Sequence, residues 1–397
     1  MQWLSRAMLK LLIENTLVKV VRMKEGYRFL GEYIRQVDIR NKEGKKENLL
    51  GVSVQKQFIQ SIANTVGTDF TKYKVVKKGQ FTYIPDTSRR GDKIAIALLE
   101  DYEEGLVSNV YTVFEVIDTE KLLPEYLMLW FSRPEFDRYA RFKSHGSVRE
   151  IMDWEEMCKV ELPVPDIEKQ RKIVKAYRTI TDRIDLKQKI NDNLEATLSA
   201  LYKEFFTITS SDTLPLGWRI APFSDIATVT MGQSPEGDDC NNEGVGEPLL
   251  NGPTEFGGFS PSPMQWTTNG KKHCIEGDLL FCVRGSTSGR MNWANQSYVI
   301  GRGLAAIHHK SDCTLNWFIK AMINNSLQDI LSAATGSTFP NVGKDLLNGF
   351  QVIIPDDNSL RVFGVKGHSI FNMISDNAKE IDLLLSLQRN LLVKLTI

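Results

Sequence analysis

The chain has 397 residues, 49 Lys+Arg balanced by 49 Asp+Glu, and 42 % hydrophobic against 25 % charged residues. That composition excludes a disordered, collagenous or disulfide-dense chain, and the length sets an expectation of two or three domains. A zero charge balance also lacks the overall basic footprint of a nucleic-acid binder, an inference that the distribution of charge along the chain changes. The chain starts with a mildly apolar stretch, residues 1–23, interrupted by Lys10, Glu14 and Lys19 and followed by no small-residue cleavage site. It reads as a short leader helix, not a signal peptide. No run of 18 apolar residues exists, so no membrane span is expected.

The next segment is basic. Residues 1–93 hold 19 Lys+Arg and 9 Asp+Glu, a surplus of +10. Lys72, Lys74, Lys77, Lys78, Arg89, Arg90 and Lys93 interleave with Tyr73, Phe81 and Tyr83. Long cationic side chains beside aromatics suit phosphate and base-edge contacts. The plain alternative is a solvated sheet edge. After this cluster, Gly91-Asp92 opens a predicted strand over Ile94–Leu99, and residues 123–142 read as a helix pair around a polar break.

Residues 144–165 (SHGSVREIMDWEEMCKVELPVP) have a counterpart in residues 334–355 (ATGSTFPNVGKDLLNGFQVIIP), offset by 190 without a gap. Each has Gly-Ser (Gly146-Ser147, Gly336-Ser337), a short helix, and a strand ending at Pro165 or Pro355. Upstream, 123–142 matches 315–334, and Gly91-Asp92 is set against Gly277-Asp278 with its strand Leu279–Val283. The chain therefore reads as an internal repeat: globular, helix, globular, helix.

Residues 167–206 form the first long helical segment. At steps of four and three the positions are Ile173, Tyr177, Ile180, Ile184, Lys187, Asn191, Leu194, Leu198, Leu201 and Phe205, a coiled-coil seam. Residues 168–206 would span about 58 Å. The second segment, 358–397, gives Ile370, Ile374, Asn377, Ile381, Leu384, Gln388, Leu391 and Leu395, with Gly364 and Gly367 weakening its first turns. Polar residues inside a seam fix register at some cost in stability. Paired antiparallel, the helices would hold two similar heads apart. The expected fold is α+β, with two similar α/β domains joined by two long antiparallel coiled-coil helices in a pseudo-twofold repeat. The expected boundaries are 1–166, 167–206, 207–357 and 358–397. The bland alternative is two surface helices on separate cores.

The second globular copy is acidic overall, with 14 Lys+Arg and 18 Asp+Glu in residues 207–397. Its binding candidates are loops: Gly232-Gln233-Ser234-Pro235, and Arg284-Gly285-Ser286-Thr287-Ser288-Gly289-Arg290. Gln233, Ser234, Arg284, Ser286, Thr287 and Arg290, with Lys271, Lys272 and Arg302, are the candidate contacts. Gly and small hydroxyl residues let backbone approach phosphate, and Arg binds guanine bidentately. A turn serving only the fold explains the glycines equally well.

Catalytic constellations are missing. Six residues separate Gly336 from Gly343, and Asp345 follows Lys344, so no phosphate loop forms. Gly301-Arg302-Gly303 is the nearest approach to a dinucleotide fingerprint, and no GxSxG elbow is present. Pro165-Asp166 with Glu168-Lys169 faintly resembles a nuclease pattern, but the adjacent Glu168 and Lys169 point apart; Asp166 reads as a helix cap. There is no Asn/Asp-Pro-Pro-aromatic loop of an adenine methyltransferase. His308-His309 sits at a strand end. The five cysteines, Cys158, Cys240, Cys274, Cys282 and Cys313, include no CxxC and read as reduced thiols of a cytoplasmic protein. A zinc site from His273, Cys274 and Cys282 lacks a second ligand pair, so no metal is expected.

Taken in order, several motifs resemble the DNA-specificity subunit of type I restriction-modification enzymes over nearly the whole chain. In the first half these are NLLGVSVQKQFIQSIANTVGTDFTKYKVVKKGQFTYIP (48–85) and KIAIALLEDYEEGLVSNVYTVFEV (93–116). In the second they are LPLGWRIAPFSDIATVTMGQSPEGDDCNNEGVGEPLLNG (214–252), GDLLFCVRGSTSG (277–289) and GSTFPNVGKDLLNGFQVIIP (336–355). Pro215-Leu216-Gly217-Trp218 matches a start common in the family's recognition domains; residues 1–23 show no such start. The resemblance implies a non-catalytic subunit with two target recognition domains, each reading half of a bipartite double-stranded DNA site, the helices being the family's spacers. It implies two methyltransferase subunits using S-adenosylmethionine, and motor/endonuclease subunits using ATP and Mg, with no cofactor in this chain. Two other readings stay open: a two-headed protein–protein scaffold, and a stand-alone modification enzyme, which the missing catalytic loop disfavours.

Overall fold

The computed structural model describes residues 26–62, 65, 67–86, 91, 93–144, 150–206, 214–336 and 339–395. The leader 1–23 and the residues Arg89, Arg90, Asp92, Gly146, Ser147 and Ser337 lie outside the described residues. The chain divides into two compact units, one running to Asp182 and resuming at Leu385, the other Arg183–Leu384. The division cuts both long helices, where the sequence reading had set them off as separate spacers.

In chain order the first unit holds β1 (Tyr27–Phe29), β2 (Ile34–Val37), β3 (Ile39–Arg40), β4 (Leu50–Val52), β5 (Phe58–Gln60), β6 (Lys74–Lys77) and β7 (Phe81–Ile84). It continues with β8 (Ala95–Leu98), β9 (Glu104–Val107), β10 (Thr112–Val116), α1 (Pro124–Phe131), α2 (Pro134–Lys143), α3 (Trp154–Cys158) and β11 (Glu161–Pro163). The helix α4 (Ile167–Phe206) starts here. Its cap is Asp166, whose Oδ1 accepts from the Lys169 amide at 2.9 Å. The central antiparallel sheet has the order β2-β10-β7-β8. Strand β8 shows why it is buried on both faces: Ile96 and Leu98 join the helix-side core, while Ala95 and Ala97 face Val52. Phe81 and Phe114 stack at 4.8 Å in that core, and Phe131 of α1 meets Phe81 edge-on. Val174 of α4 packs in the same cluster with Leu392 and Leu395 near the end of the chain.

The second unit contains β12 (Arg219–Pro222), β13 (Ala227–Met231), β14 (Cys240–Asn241), β15 (Glu247–Leu250), β16 (Gln265–Thr267), β17 (His273–Cys274) and β18 (Leu279–Cys282). Then come β19 (Met291–Trp293), β20 (Tyr298–Ile300), β21 (Leu304–His309), α5 (Asn316–Ser332), α6 (Lys344–Gly349), β22 (Gln351–Ile354) and α7 (Asp357–Lys394). One sheet has the order β13-β21-β18-β19, the other β14-β16-β15-β20-β17. Leu279 and Phe281 face the main core, while Leu280 and Cys282 face a second cluster with Ile300 and Tyr298. Each unit closes on an antiparallel pair of its first and last strands, β1 with β11 and β12 with β22.

Three expectations change. The counterpart of the Gly277-Asp278 strand is β7, not the strand after Gly91-Asp92. Strands β7 and β18 hold the same place in their sheets, each bonded on both sides. The turns before them match: Gly79 and Gly277 have φ of +81° and +87°, and Gln80 Oε1 accepts from the Lys77 amide as Asp278 Oδ2 accepts from the Ile275 amide. Second, residues 315–334 are not a helix pair. Pro134 starts α2 and lacks the N–H needed to continue α1, whereas α5 runs 17 residues without a proline. Third, a similar Gly-aromatic start stands in the first unit, further along than residues 1–23: Gly26 (φ +81°) precedes Tyr27, the first residue of β1, as Gly217 (φ +86°) precedes Trp218, just before β12.

The seam residues on α4 and α7 are buried or half-buried: Ile173, Tyr177, Ile180, Ile184, Leu194, Leu198 and Leu201 on one, Ile374, Ile381, Leu384, Leu391 and Leu395 on the other. Phe205 breaks the pattern and is 43 % exposed. Tyr202 and Phe206 are buried in its place, because the last turns of α4 pack on Phe318 and Phe363 of the globular core. In the second unit the polar seam positions bond to one another. Lys187 Nζ donates to Asn377 Oδ1 (2.7 Å), Asn377 Nδ2 to Asn191 Oδ1 (2.9 Å), and Asn191 Nδ2 to the Ile374 carbonyl (3.2 Å). Glu380 accepts from Lys187 at 2.9 Å and from Arg183, and these cations hold its carboxyl below the usual range. In the first unit Gln388 Nε2 donates to Thr181 Oγ1 at 2.9 Å.

Candidate nucleic-acid interface

The expected basic face of the first unit is largely neutralised locally. Lys78 pairs with Glu103 at 2.9 Å and Lys72 with Asp69 at 3.7 Å. Lys74 donates to the Tyr111 carbonyl at 2.7 Å, and burial lowers its pKa. Lys77 stays exposed without an ion pair among the described residues. Tyr83 is overturned as a contact residue: it is fully buried, its ring edge-on to Phe114. Its place on β7 sends alternate side chains inward, and the aromatic that looked interleaved with lysines belongs to the core. The structure adds residues that sequence reasoning missed. A groove of about 550 Å³ is lined by Arg40, Lys42, Lys45 and Lys77 and equally by the acidic Asp38, Glu43, Glu47 and Glu104, with Arg40 paired to Asp38 and Lys45 to Glu43.

The acidic unit shows the opposite pattern. Lys271, Lys272, Arg284, Arg290 and Arg302 are all exposed and carry no ion pair among the described residues. Backbone bonds gather most of their segments around residues 300–303. The Ile300 amide donates to the Lys272 carbonyl and the Gln233 amide to the Ile300 carbonyl, both at 2.9 Å. Ser234 Oγ accepts from the Arg302 amide at 3.1 Å, and the Val283 amide donates to the Gly303 carbonyl at 2.9 Å. Gly232 is required at this junction, since a Cβ there would overlap the Gly301 carbonyl oxygen. Gln233, Lys272, Arg302 and the Arg284 loop thus come from separate stretches of chain to one surface.

Within 284–290 the roles divide. Ser288 Oγ donates to the Gly285 and Pro340 carbonyls, both at 2.9 Å, and so holds the turn. Thr287 is half-buried, its Oγ1 3.6 Å from Cys282 Sγ. Arg284, Ser286 and Arg290 face solvent. A local signal was available: residues 279–310 contain no Asp or Glu while holding Arg284, Arg290, Arg302 and Lys310. Averaging over the whole half concealed it. The other candidate chemistry disperses. His273 bonds to Glu247 at 3.0 Å, and His308 Nδ1 to Asp278 at 3.0 Å. No helix among the described residues is long and apolar enough to cross a membrane.

The chain is thus α+β, with two sheet-based units and exposed cationic loops on the second. Residues 21–196 match the type I restriction modification DNA specificity domain. A Methanocaldococcus jannaschii protein named as the MjaX specificity subunit of a type I restriction enzyme is 23 % identical over 79 % of this chain and 76 % of its own length. The MjaIX specificity subunit from the same organism is 24 % identical over 70 % of each. The crystal structure of a type I restriction-modification S subunit from M. genitalium shares the fold, with a TM-score of 0.55 over 96 % of this chain and 98 % of that one at 12 % identity. The family model and these relatives are of the same kind as the family that the sequence resemblance named.

Proposed function

We propose that the chain is the non-catalytic, cytoplasmic specificity subunit of a type I restriction-modification complex, in which each unit reads one half of a bipartite DNA target. The observation that carries this reading is the shared plan of the two units. Both place a strand opened by a positive-φ glycine at the centre of a four-stranded sheet of one connectivity, and both close on a strand pair that leads into a long helix. A duplicated reader suits a target with two half-sites. The seam supports α4 and α7 as an antiparallel pair: within the first unit residue 181 meets 388, and within the second 187 meets 377. Such a pair would set the spacing between half-sites and dock two methyltransferase subunits. S-adenosylmethionine, ATP and Mg would be bound by those and by motor/endonuclease subunits, not by this chain.

The test is the host methylome. The expected result is an adenine methylated in each half of one bipartite motif, lost when the gene is deleted. Removing one heptad from both helices should change or abolish the preferred spacer. Methylation without a common bipartite motif, or unchanged by the deletion, overturns the proposal. Full DNA methylation with both units' cations reversed would favour a protein–protein scaffold.

A further inference from the structure

We infer that Phe339 is a base-contacting wedge: in the DNA bound by the second unit it inserts its ring at a base step, next to phosphate contacts made by the adjoining loop of Arg284 and Arg290. The inference rests on the reading of this unit as a DNA-binding surface, and names a contact that the reading does not require.

Phe339 is 53 % exposed. A single exposed apolar side chain is ordinary on any surface, so its exposure by itself decides nothing. Its surroundings do. Thr335 and Asn341 pair across the short loop that contains it, with N···O distances of 3.2 and 2.7 Å. The Phe339 carbonyl packs onto Gly336 (φ +122°) where a Cβ would otherwise stand. Asn341 bridges to Arg284, the Val342 amide donates to the Val283 carbonyl at 2.9 Å, and Ser288 Oγ donates to the Pro340 carbonyl at 2.9 Å. Pro340, Asn341 and Val342, directly after the ring, are therefore bonded at several points to the loop that carries both arginines. Anchoring of this kind reduces the ordering cost of binding.

Charge identifies the occupant. Neither 279–310 nor 330–344 contains a carboxylate, while Arg284 and Arg290 are exposed and unpaired among the described residues. An exposed aromatic ring on a segment hydrogen-bonded to the loop of two unpaired arginines, with no acid in either segment, fits a polyanion that also offers apolar flat faces. Duplex DNA is such a ligand: apolar wedges such as Phe enter between base pairs and unstack them, most easily at pyrimidine–purine steps.

The experiment uses the full chain assembled with the host's adenine methyltransferase subunits and a duplex carrying the host's methylated motif. Binding is measured over a range of salt for the unaltered chain and for Phe339→Ala, Phe339→Leu, Arg284→Ala and Arg290→Ala. A 2-aminopurine in the second half-site reports unstacking. Base–aromatic contact predicts a loss of roughly tenfold or more for Phe339→Ala, at an unchanged salt slope, because no phosphate contact is removed. Phe339→Leu should retain part of the affinity. Each arginine variant should lower the slope by about one. The 2-aminopurine signal that rises with the unaltered chain should be lost with Phe339→Ala. Affinity and signal unaffected in Phe339→Ala overturn the wedge alone. Failure of the unaltered complex to bind the motif overturns the DNA reading and the wedge with it.

Discussion

Two glycines at the start of α7 separate helix propensity from packing. In a helix interior Gly costs about 1 kcal/mol relative to Ala, so propensity alone says that Gly364→Ala and Gly367→Ala should both stabilise. The structure gives them opposite signs. A Cβ at Gly364 would come within 2.9 Å of one flexible group, the Leu315 Cδ2 methyl. A Cβ at Gly367 would fall well under 3.0 Å from three ring atoms of Trp317. That indole is 2 % exposed and packs at a tilt against Phe363, 5.0 Å between ring centroids, so it has no free space to enter. Overpacking a filled core costs about 1–3 kcal/mol, occasionally more, which outweighs the propensity gain. Gly364→Ala is expected to be neutral or stabilising by up to about 1 kcal/mol, and Gly367→Ala to be destabilising by about 1–2 kcal/mol. For a unit of this size the two variants should melt about 4–8 °C apart. Thermal and urea denaturation of the full chain check this. Equal melting temperatures, or Gly367→Ala the more stable, would refute the view that the helix start is shaped around Trp317.

Three further outcomes follow from the structure. Asn377→Leu removes a donor from Asn191 and an acceptor from Lys187, and should cost about 1–3 kcal/mol in urea denaturation. The double variant Asn191→Leu/Asn377→Leu should recover much of that loss, and strict additivity would count against a shared polar layer. Tyr83→Phe should leave DNA affinity unchanged, whereas Tyr83→Ala should cost about 3–5 kcal/mol of stability by leaving a core cavity; reduced affinity in a stable Tyr83→Phe chain would return this residue to the interface. Burial raises the Asp278 pKa above its ordinary 3.8. A raised folded pKa contributes stability below the unfolded value that is lost as pH rises through the folded one. The stability of the native chain relative to Asp278→Asn should therefore decline as pH climbs from 3.8, as denaturation at stepped pH would show; a constant difference would refute the assignment.

Much of the architecture was legible from periodicity. The buried seam positions from Ile173 to Leu201 are a regularly spaced signal, and side chains at 3.6- or 2-residue spacing face one way whatever surrounds them. The cap at Asp166 and the strand after Gly277-Asp278 needed no tertiary information. What failed depended on sheet partners. Which strand after which glycine occupies a sheet centre is a matter of hydrogen-bonded neighbours, and in sequence Gly91-Asp92 repeats Gly277-Asp278 whereas Gly79-Gln80 does not.

The candidate interface divides in the same way. The sequence by itself determined which residues carry charge, and it placed the arginine loop directly after a buried strand. Only the tertiary structure decided which charges are available. Lys72 and Lys78 of the basic unit meet Asp69 and Glu103, while Arg284, Arg290 and Arg302 of the acidic unit meet no carboxylate among the described residues. The physical reason is distance: an ion pair forms over a few ångströms between groups that lie far apart along the chain, whereas net charge sums over every residue regardless of place. The zero total of this chain is compatible with a cationic surface because its acids are spent elsewhere in the fold.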